Sequence, residues 1–170
     1  RIEQKFSLIN ESLKKDFGIQ KPKIAVLSID PHAGDGGVIG KDDQDILKPV
    51  LLEIASKNNL VFGPFSSDSF FGSGQHKKYD AVLAIYHDQG LIPFKTLSFG
   101  TGVNYTAGLN KVRTSPDHGT GYDIAGKGLA DSTSFKNAIF SAIEILKSRN
   151  LFEDLNKNSL NLSNSKTGKK

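Results

Sequence analysis

The chain has 170 residues, 37% of them hydrophobic and 24% charged, a balance that suits a packed domain and excludes a largely unfolded polypeptide. It contains no cysteine, which excludes disulfides and thiolate metal centres, and no apolar run long enough to span a membrane. The net charge is +4, but the first helix and the Lys-rich C-terminal end carry much of the excess. Basic segments interleaved with aromatics are missing, so no nucleic-acid partner is expected. No secretory-type segment is visible at the start, and a cytoplasmic protein with no membrane partner is expected. There is no methionine, and the chain begins with Arg1 inside a helical pattern. This points to a piece of a longer protein whose N-terminal part is missing.

Ile2, Phe6, Ile9, Leu13 and Phe17 recur at steps of three and four and predict one face of an amphipathic helix, stopped by Gly18. "KIAVLSID" (Lys23 to Asp30) is apolar without polar alternation and predicts a strand buried on both faces. "PHAGDGGVIG" is a glycine-dense loop. Asp42 or Asp43 is the expected cap of the next helix, which Pro49 should kink or restart. "LVFGPFSSD" predicts a short strand broken by Gly63-Pro64. "YDAVLAIYH" predicts another buried strand ending at His87, and "VNYTAGL" a further one. Ser134 to Arg149 reads as an amphipathic helix with Phe135, Ile139, Ala142, Ile143 and Leu146 on one face. The Asn-, Ser- and Lys-rich remainder is expected to be mostly disordered. Strands alternating with helices argue for an α/β fold with a mainly parallel sheet. The expected organisation is a catalytic portion over residues 1–150 and a tail over 151–170.

Two loops attract attention because open α/β sheets place ligands at the carboxyl ends of their strands. His32 follows one buried strand within "DPHAGDGG", which alone reads as a turn with an incidental histidine. His87 follows another within "YHDQG". Two such histidines can converge on one metal, since neutral imidazole binds zinc and other divalent ions. The alternative for His87 is a ring simply packed at a strand end. A catalytic metal usually has three protein ligands, and His76, in a lysine-flanked loop, is a poor third. The third ligand is expected from the missing N-terminal part. Lys95, Asn104 and Arg113 suit phosphate or carboxylate binding, although their spacing alone favours a solvated basic surface. "DHGTGYDIAGKG" is not GxGxxG, so a Rossmann fingerprint is unavailable. It offers loop amides and Asp123 to a nucleotide ribose, or else is a glycine-capped helix end.

Taken together, "DPHAGDGG", "YHDQGLIPFK", "FGTGVNYTAGL" and "VRTSPDHGTGYDIAGKG", in this order, closely resemble the C-terminal half of the 4-hydroxythreonine-4-phosphate dehydrogenase family of pyridoxal phosphate biosynthesis. The resemblance runs from about the first helix to Arg149. It implies an α/β/α sandwich of the isocitrate and isopropylmalate dehydrogenase-like type. It also implies NAD-dependent oxidation of 4-(phosphooxy)-L-threonine, then decarboxylation to 3-amino-2-oxopropyl phosphate. A divalent ion (zinc, magnesium or cobalt) is held by three histidines in that family. Two of them match His32 and His87, and the third lies upstream. The substrate positions match Lys95, Asn104 and Arg113. His118, Gly119 and Asp123 match the nucleotide loop by likeness to the wider superfamily. The family is a homodimer, and the histidine matching His87 reaches the other subunit's metal. Asp88 is either a proton acceptor or a residue that orients an imidazole.

The resemblance leaves rivals. Related enzymes oxidise 4-phosphorylated threonate or erythronate, and a degenerate paralogue would bind without catalysis. On its own, this chain is expected to bind metal weakly and to catalyse little.

Overall fold

A computed structural model describes residues 1–157. Helix α1 (Ile2–Lys15) buries Phe6 and Leu13 and ends at Asp16, after which Gly18 turns the chain at φ 70°. Phe17 departs from the expected buried face. It is half-exposed and packs edge-on against Tyr105, ring centroids 5.5 Å apart.

Strand β1 (Lys23–Leu27) follows, and Ile24 to Leu27 have no exposed surface. It is the centre of a parallel sheet of order β2-β1-β3, with β2 spanning Leu60–Phe65 and β3 Ala81–Leu83. Alternate residues of a strand face opposite sides, and here both sides are covered. Ile24 and Val26 pack with Phe6 and Leu13 of α1 and with Leu47, Leu51 and Ile54 in and before α2 (Lys48–Ser56). Ala25 and Leu27 pack with Phe70 of α3 (Ser67–Gly72), flanked by Phe65, Tyr79 and Val82. Each Ile, Leu or Val so buried is worth about 1.5–3 kcal/mol, and this places the unbroken apolar run at the middle of the sheet. The α/β architecture with its parallel sheet is as expected.

Strand β2 is not broken at Gly63-Pro64. Ala25 pairs with Phe62 and Leu27 with Phe65, so β2 carries one more residue than β1 over this stretch. The bulge accommodates the pair. Asp43 does not cap a helix. It opens a π-helical turn, Asp43–Leu47, and its side chain points back to Ile29 and Asp30, just beyond the end of β1, while Asp42 makes no side-chain cap. Pro49 restarts the helix within the first turn of α2, where its missing amide is harmless.

Strand β3 stops at Leu83, and His87 is the first residue of α4 (His87–Leu97) rather than the end of a strand. Next, β4 (Val103–Tyr105) pairs antiparallel with β5 (Thr114–Pro116). Helix α5 (Thr133–Lys157) lies on this hairpin. The Ser134 hydroxyl donates to the Gly102 carbonyl (2.9 Å) and accepts from the Asp117 amide (3.0 Å). The Thr114 hydroxyl donates to the Ala138 carbonyl at 2.8 Å.

Two expectations for α5 are corrected. The buried residues are Ser134, Ala138, Ile145 and Arg149, while Phe135, Ile139, Ile143 and Leu146 are exposed. The helix also continues to Lys157, so residues 151–157 of the expected tail are helical. Residues 158–170 of that tail lie outside the described residues.

Candidate active site at the carboxyl ends of the parallel strands

From the central strand the chain crosses to β2 through α2, which packs on the Ile24 and Val26 face. It then crosses to β3 through α3, which packs on the Ala25 and Leu27 face. Consecutive crossovers on opposite faces leave a crevice outside the strand ends, the position that ligands favour in open α/β sheets. A cavity of about 350 Å³ lies there, with Ser28 and His32 after β1, Ser66 and Asp68 after β2, and Tyr86 and Gln89 after β3 in its wall.

The His32 loop has an unusual backbone. Five consecutive residues, His32 to Gly36, have φ between 44° and 81°. A left-handed conformation costs a residue with a Cβ roughly 1–2 kcal/mol, and His32, Ala33 and Asp35 all carry one. Several contacts hold the turn in place. The fully buried Asp43 carboxylate accepts the amides of Ile29 and Asp30, each at 2.9 Å. Asp30 in turn accepts the Asp42 amide at 3.0 Å, and the Ile39 amide reaches the Gly34 carbonyl at 3.1 Å. A side chain on Gly34 would run into the Gly40 carbonyl oxygen. Strain maintained by surrounding structure is characteristic of sites where a side chain must be aimed. His32 is exposed at the tip of this turn.

Asp68 was not singled out from sequence. The Ser66 hydroxyl donates to it at 2.6 Å, and that bond, helped by the Ser69 amide, holds its carboxyl below the ordinary aspartate range, with a smaller contribution from His32. The crevice therefore carries an anionic group beside an imidazole. A signal existed: "SSD" directly follows the apolar run of β2, the same placement that drew attention to His32 and His87.

His87 and Asp88 open α4. His87 Nδ1 lies 2.7 Å from Asp88 Oδ1, and both side chains are largely exposed. A carboxylate on Nδ1 leaves Nε2 free to act as a ligand. Neither residue lines the crevice cavity, although the neighbouring Tyr86 does. Lys95, on α4, is 3.6 Å from Asp117. Asn104 is exposed on β4 opposite Ser115, and Arg113 donates to the Thr106 hydroxyl at 2.9 Å across the same hairpin. His118 pairs its Nδ1 with the Gly119 carbonyl at 2.9 Å on an exposed loop, and Asp123 follows in a short 3-10 turn, Tyr122–Ile124. The crevice thus gathers His32 but not Lys95, Asn104, Arg113, His118, Gly119 or Asp123. His76 stacks on Phe71, centroids 5.5 Å apart. Among the described residues, no three His, Cys, Asp or Glu side chains come close enough to hold a metal ion. His32 and His87 fit an imidazole-rich divalent centre in kind, but such a centre needs a further ligand from elsewhere.

Residues 1–142 match the family model of the pyridoxal phosphate biosynthetic protein PdxA. The chain belongs to the PdxA family. The 4-hydroxythreonine-4-phosphate dehydrogenase of Bacteroides thetaiotaomicron is 53% identical over 148 residues, covering 87% of this chain and 41% of the relative. That of Prosthecochloris aestuarii is 53% identical over 144 residues, covering 85% and 42%. The chain therefore spans about two fifths of the length of these curated PdxA relatives. Among solved structures, the 4-hydroxythreonine-4-phosphate dehydrogenase of Klebsiella pneumoniae superposes with a TM-score of 0.72 at 42% identity, over 85% of this chain and 44% of that one. A terephthalate 1,2-cis-dihydrodiol dehydrogenase from Burkholderia xenovorans reaches 0.64 at 33% identity, over 83% and 45%. PdxA membership agrees with the resemblance carried by the loop motifs. No helix among the described residues is long and apolar enough to cross a membrane.

Proposed function

We propose that this chain is part of a cytoplasmic, NAD-dependent 4-hydroxythreonine-4-phosphate dehydrogenase. The enzyme oxidises and decarboxylates 4-(phosphooxy)-L-threonine to 3-amino-2-oxopropyl phosphate, in pyridoxine 5'-phosphate biosynthesis. The observation that supports the reading is the placement of His32 in the crevice after β1, in a chain of the PdxA family, with His87 exposed after β3 outside that crevice.

His32 of one subunit and His87 of the other are the residues that would hold a divalent ion, with a third ligand from the rest of the polypeptide. When bound, that ion would supply Lewis-acid polarisation of the substrate hydroxyl and ketone, and NAD would supply the hydride acceptor. Asp88 orients the His87 ring through Nδ1, which the 2.7 Å contact supports. Lys95 and Arg113 bind the anionic groups of the substrate. Lys95 is only loosely paired with Asp117, so a phosphate can replace that partner. Asn104 adds a directed amide. His118, Gly119 and Asp123 face the nucleotide, with the Asp123 carboxylate accepting ribose hydroxyls. The enzyme works as a homodimer with the site completed across the interface, a reading that accords with His32 lining the crevice while the exposed His87 does not.

A second reading keeps the fold and changes the substrate to 4-phosphorylated threonate or erythronate. The Burkholderia xenovorans relative favours keeping it, because its name gives a different substrate on a similar structure. The test uses the full-length polypeptide containing this chain, in an NADH assay offering both substrates. A preference of at least about tenfold, roughly 1.4 kcal/mol at the transition state, assigns the substrate. His32→Ala and His87→Ala should each lose bound metal and turnover. Metal content and NADH formation that survive both substitutions overturn the proposal, and retained metal without NADH formation in the parent protein identifies a degenerate paralogue.

A further inference from the structure

We infer that Thr106 is a positioning residue for Arg113: its hydroxyl holds the guanidinium over the polar face of the β4–β5 hairpin, where that cation meets an anionic group of the substrate. The inference rests on the reading of Arg113 as a substrate-binding residue. Asn104 pairs with Ser115 and Tyr105 with Thr114. Thr106 and Arg113 come next, just past the strand ends, and continue the ladder, the Thr106 amide donating to the Arg113 carbonyl at 3.0 Å. Successive side chains of a strand point to opposite faces. Tyr105 and Thr114 are turned inward, their hydroxyls donating to Asp16 and to the Ala138 carbonyl of α5. Asn104, Thr106, Arg113 and Ser115 therefore share the other face. On that face Arg113 Nη1 donates to the Thr106 hydroxyl at 2.9 Å.

The chemistry of the partner suits the role. Arg149 is buried against the Asp16 carboxylate, which neutralises it. Arg113 is exposed and bonded to a neutral acceptor. A guanidinium has five N–H donors, and this bond occupies one of them. The side chain is thus aimed without its charge being cancelled by the group that aims it. Restraining a long side chain in advance reduces the rotamer entropy that ligand binding must overcome. Valine has nearly the shape of threonine and no acceptor, whereas serine keeps the hydroxyl.

The test uses the full-length polypeptide with 4-(phosphooxy)-L-threonine as the probe, binding being followed by calorimetry and turnover by NADH formation. Arg113→Ala should weaken binding by roughly 10-fold to 100-fold. Thr106→Val should weaken it by about 3-fold to 10-fold, raising KM with kcat nearly unchanged, the pattern of a lost interaction common to bound substrate and transition state. Thr106→Ser should bind as the parent does. In an Arg113→Ala background, Thr106→Val should cost nothing further. If the valine variant does not fold, Thr106→Ala carries the same test. Parent-like binding in Thr106→Val, when Arg113→Ala is weakened, overturns the inference and leaves Arg113 as a substrate residue. Equal losses in Thr106→Val and Thr106→Ser, or a full loss on top of Arg113→Ala, show that the hydroxyl does not act through Arg113 and also overturn it. Parent-like binding in Arg113→Ala removes the reading of Arg113 itself, and the inference with it.

Discussion

Arg149 donates two hydrogen bonds to the Asp16 carboxylate, Nε to Oδ1 at 2.5 Å and Nη2 to Oδ2 at 3.1 Å. Both side chains are buried, and the Tyr105 hydroxyl donates to the same carboxylate. Through this cluster the late part of α5 is fastened to the end of α1 and to β4. Asp16 holds the arginine well above its ordinary range, with a smaller contribution from Tyr105.

Breaking that pair from one side leaves a buried charge without its partner. Arg149→Met should destabilise the protein by about 3–5 kcal/mol, measured by urea unfolding. Adding Asp16→Leu to Arg149→Met should recover part of the loss, because the double variant buries no charge. Additive losses in that cycle would show that the two side chains do not interact.

Tyr105 gives a pH signature. Burial, and then the Asp16 carboxylate, raise its phenol above the usual value near 10. A raised acid is more readily ionised in the unfolded chain. Its contribution to stability is therefore complete below about pH 10 and is lost as pH climbs through the folded value. Subtracting the alkaline stability profile of Tyr105→Phe from that of the parent should isolate a fall confined to pH above about 10. A difference that is flat across this range would remove Tyr105 as its source.

Asp43 is the anchor under the His32 loop. Asp43→Ala leaves the amides of Ile29 and Asp30 without their acceptor, at about 1–3 kcal/mol for each. Asp43→Asn retains one acceptor oxygen and should lose less. Urea midpoints of the three proteins should fall in the order parent, Asn, Ala.

Gly34→Ala places a methyl group against the Gly40 carbonyl at φ 81°. It should destabilise by more than about 1 kcal/mol and impair metal binding, whereas Gly36→Ala, which meets no neighbour in the same turn, should cost less. Calorimetry on both variants checks the order. Equal losses would assign the effect to backbone conformation alone.

The sequence read well where chemistry and periodicity coincide. The run from Ile24 to Leu27 could only be satisfied between two covered faces, and it is. The family loops were legible because glycine, histidine and aspartate follow apolar runs there. Helix α4 was hidden for two reasons. Pro93 sits inside it, and its start is closed by the Gln89 side chain reaching back to the Tyr86 amide rather than by a Ser, Thr or Asp cap. The glutamine at the third helical position was the available signal. Helix α5 misled because it is apolar on more than one side. Its buried seam uses the Ser134 hydroxyl and the Arg149 guanidinium, which pattern reading assigns to water. Asp43 was invisible as an anchor, since nothing local distinguishes a carboxylate that caps a helix from one that reaches 14 residues back to the turn after a strand.

The arrangement of α2 and α3 on opposite faces has an evolutionary corollary. The segments bordering the crevice, after β1, β2 and β3, are separable in sequence from the Ile24 to Leu27 run that supports them. On the proposed function, substrate preference can diversify by exchanging loops while the scaffold is inherited intact, and a library varied at Ser66 to Asp68 is where a laboratory could begin to imitate it.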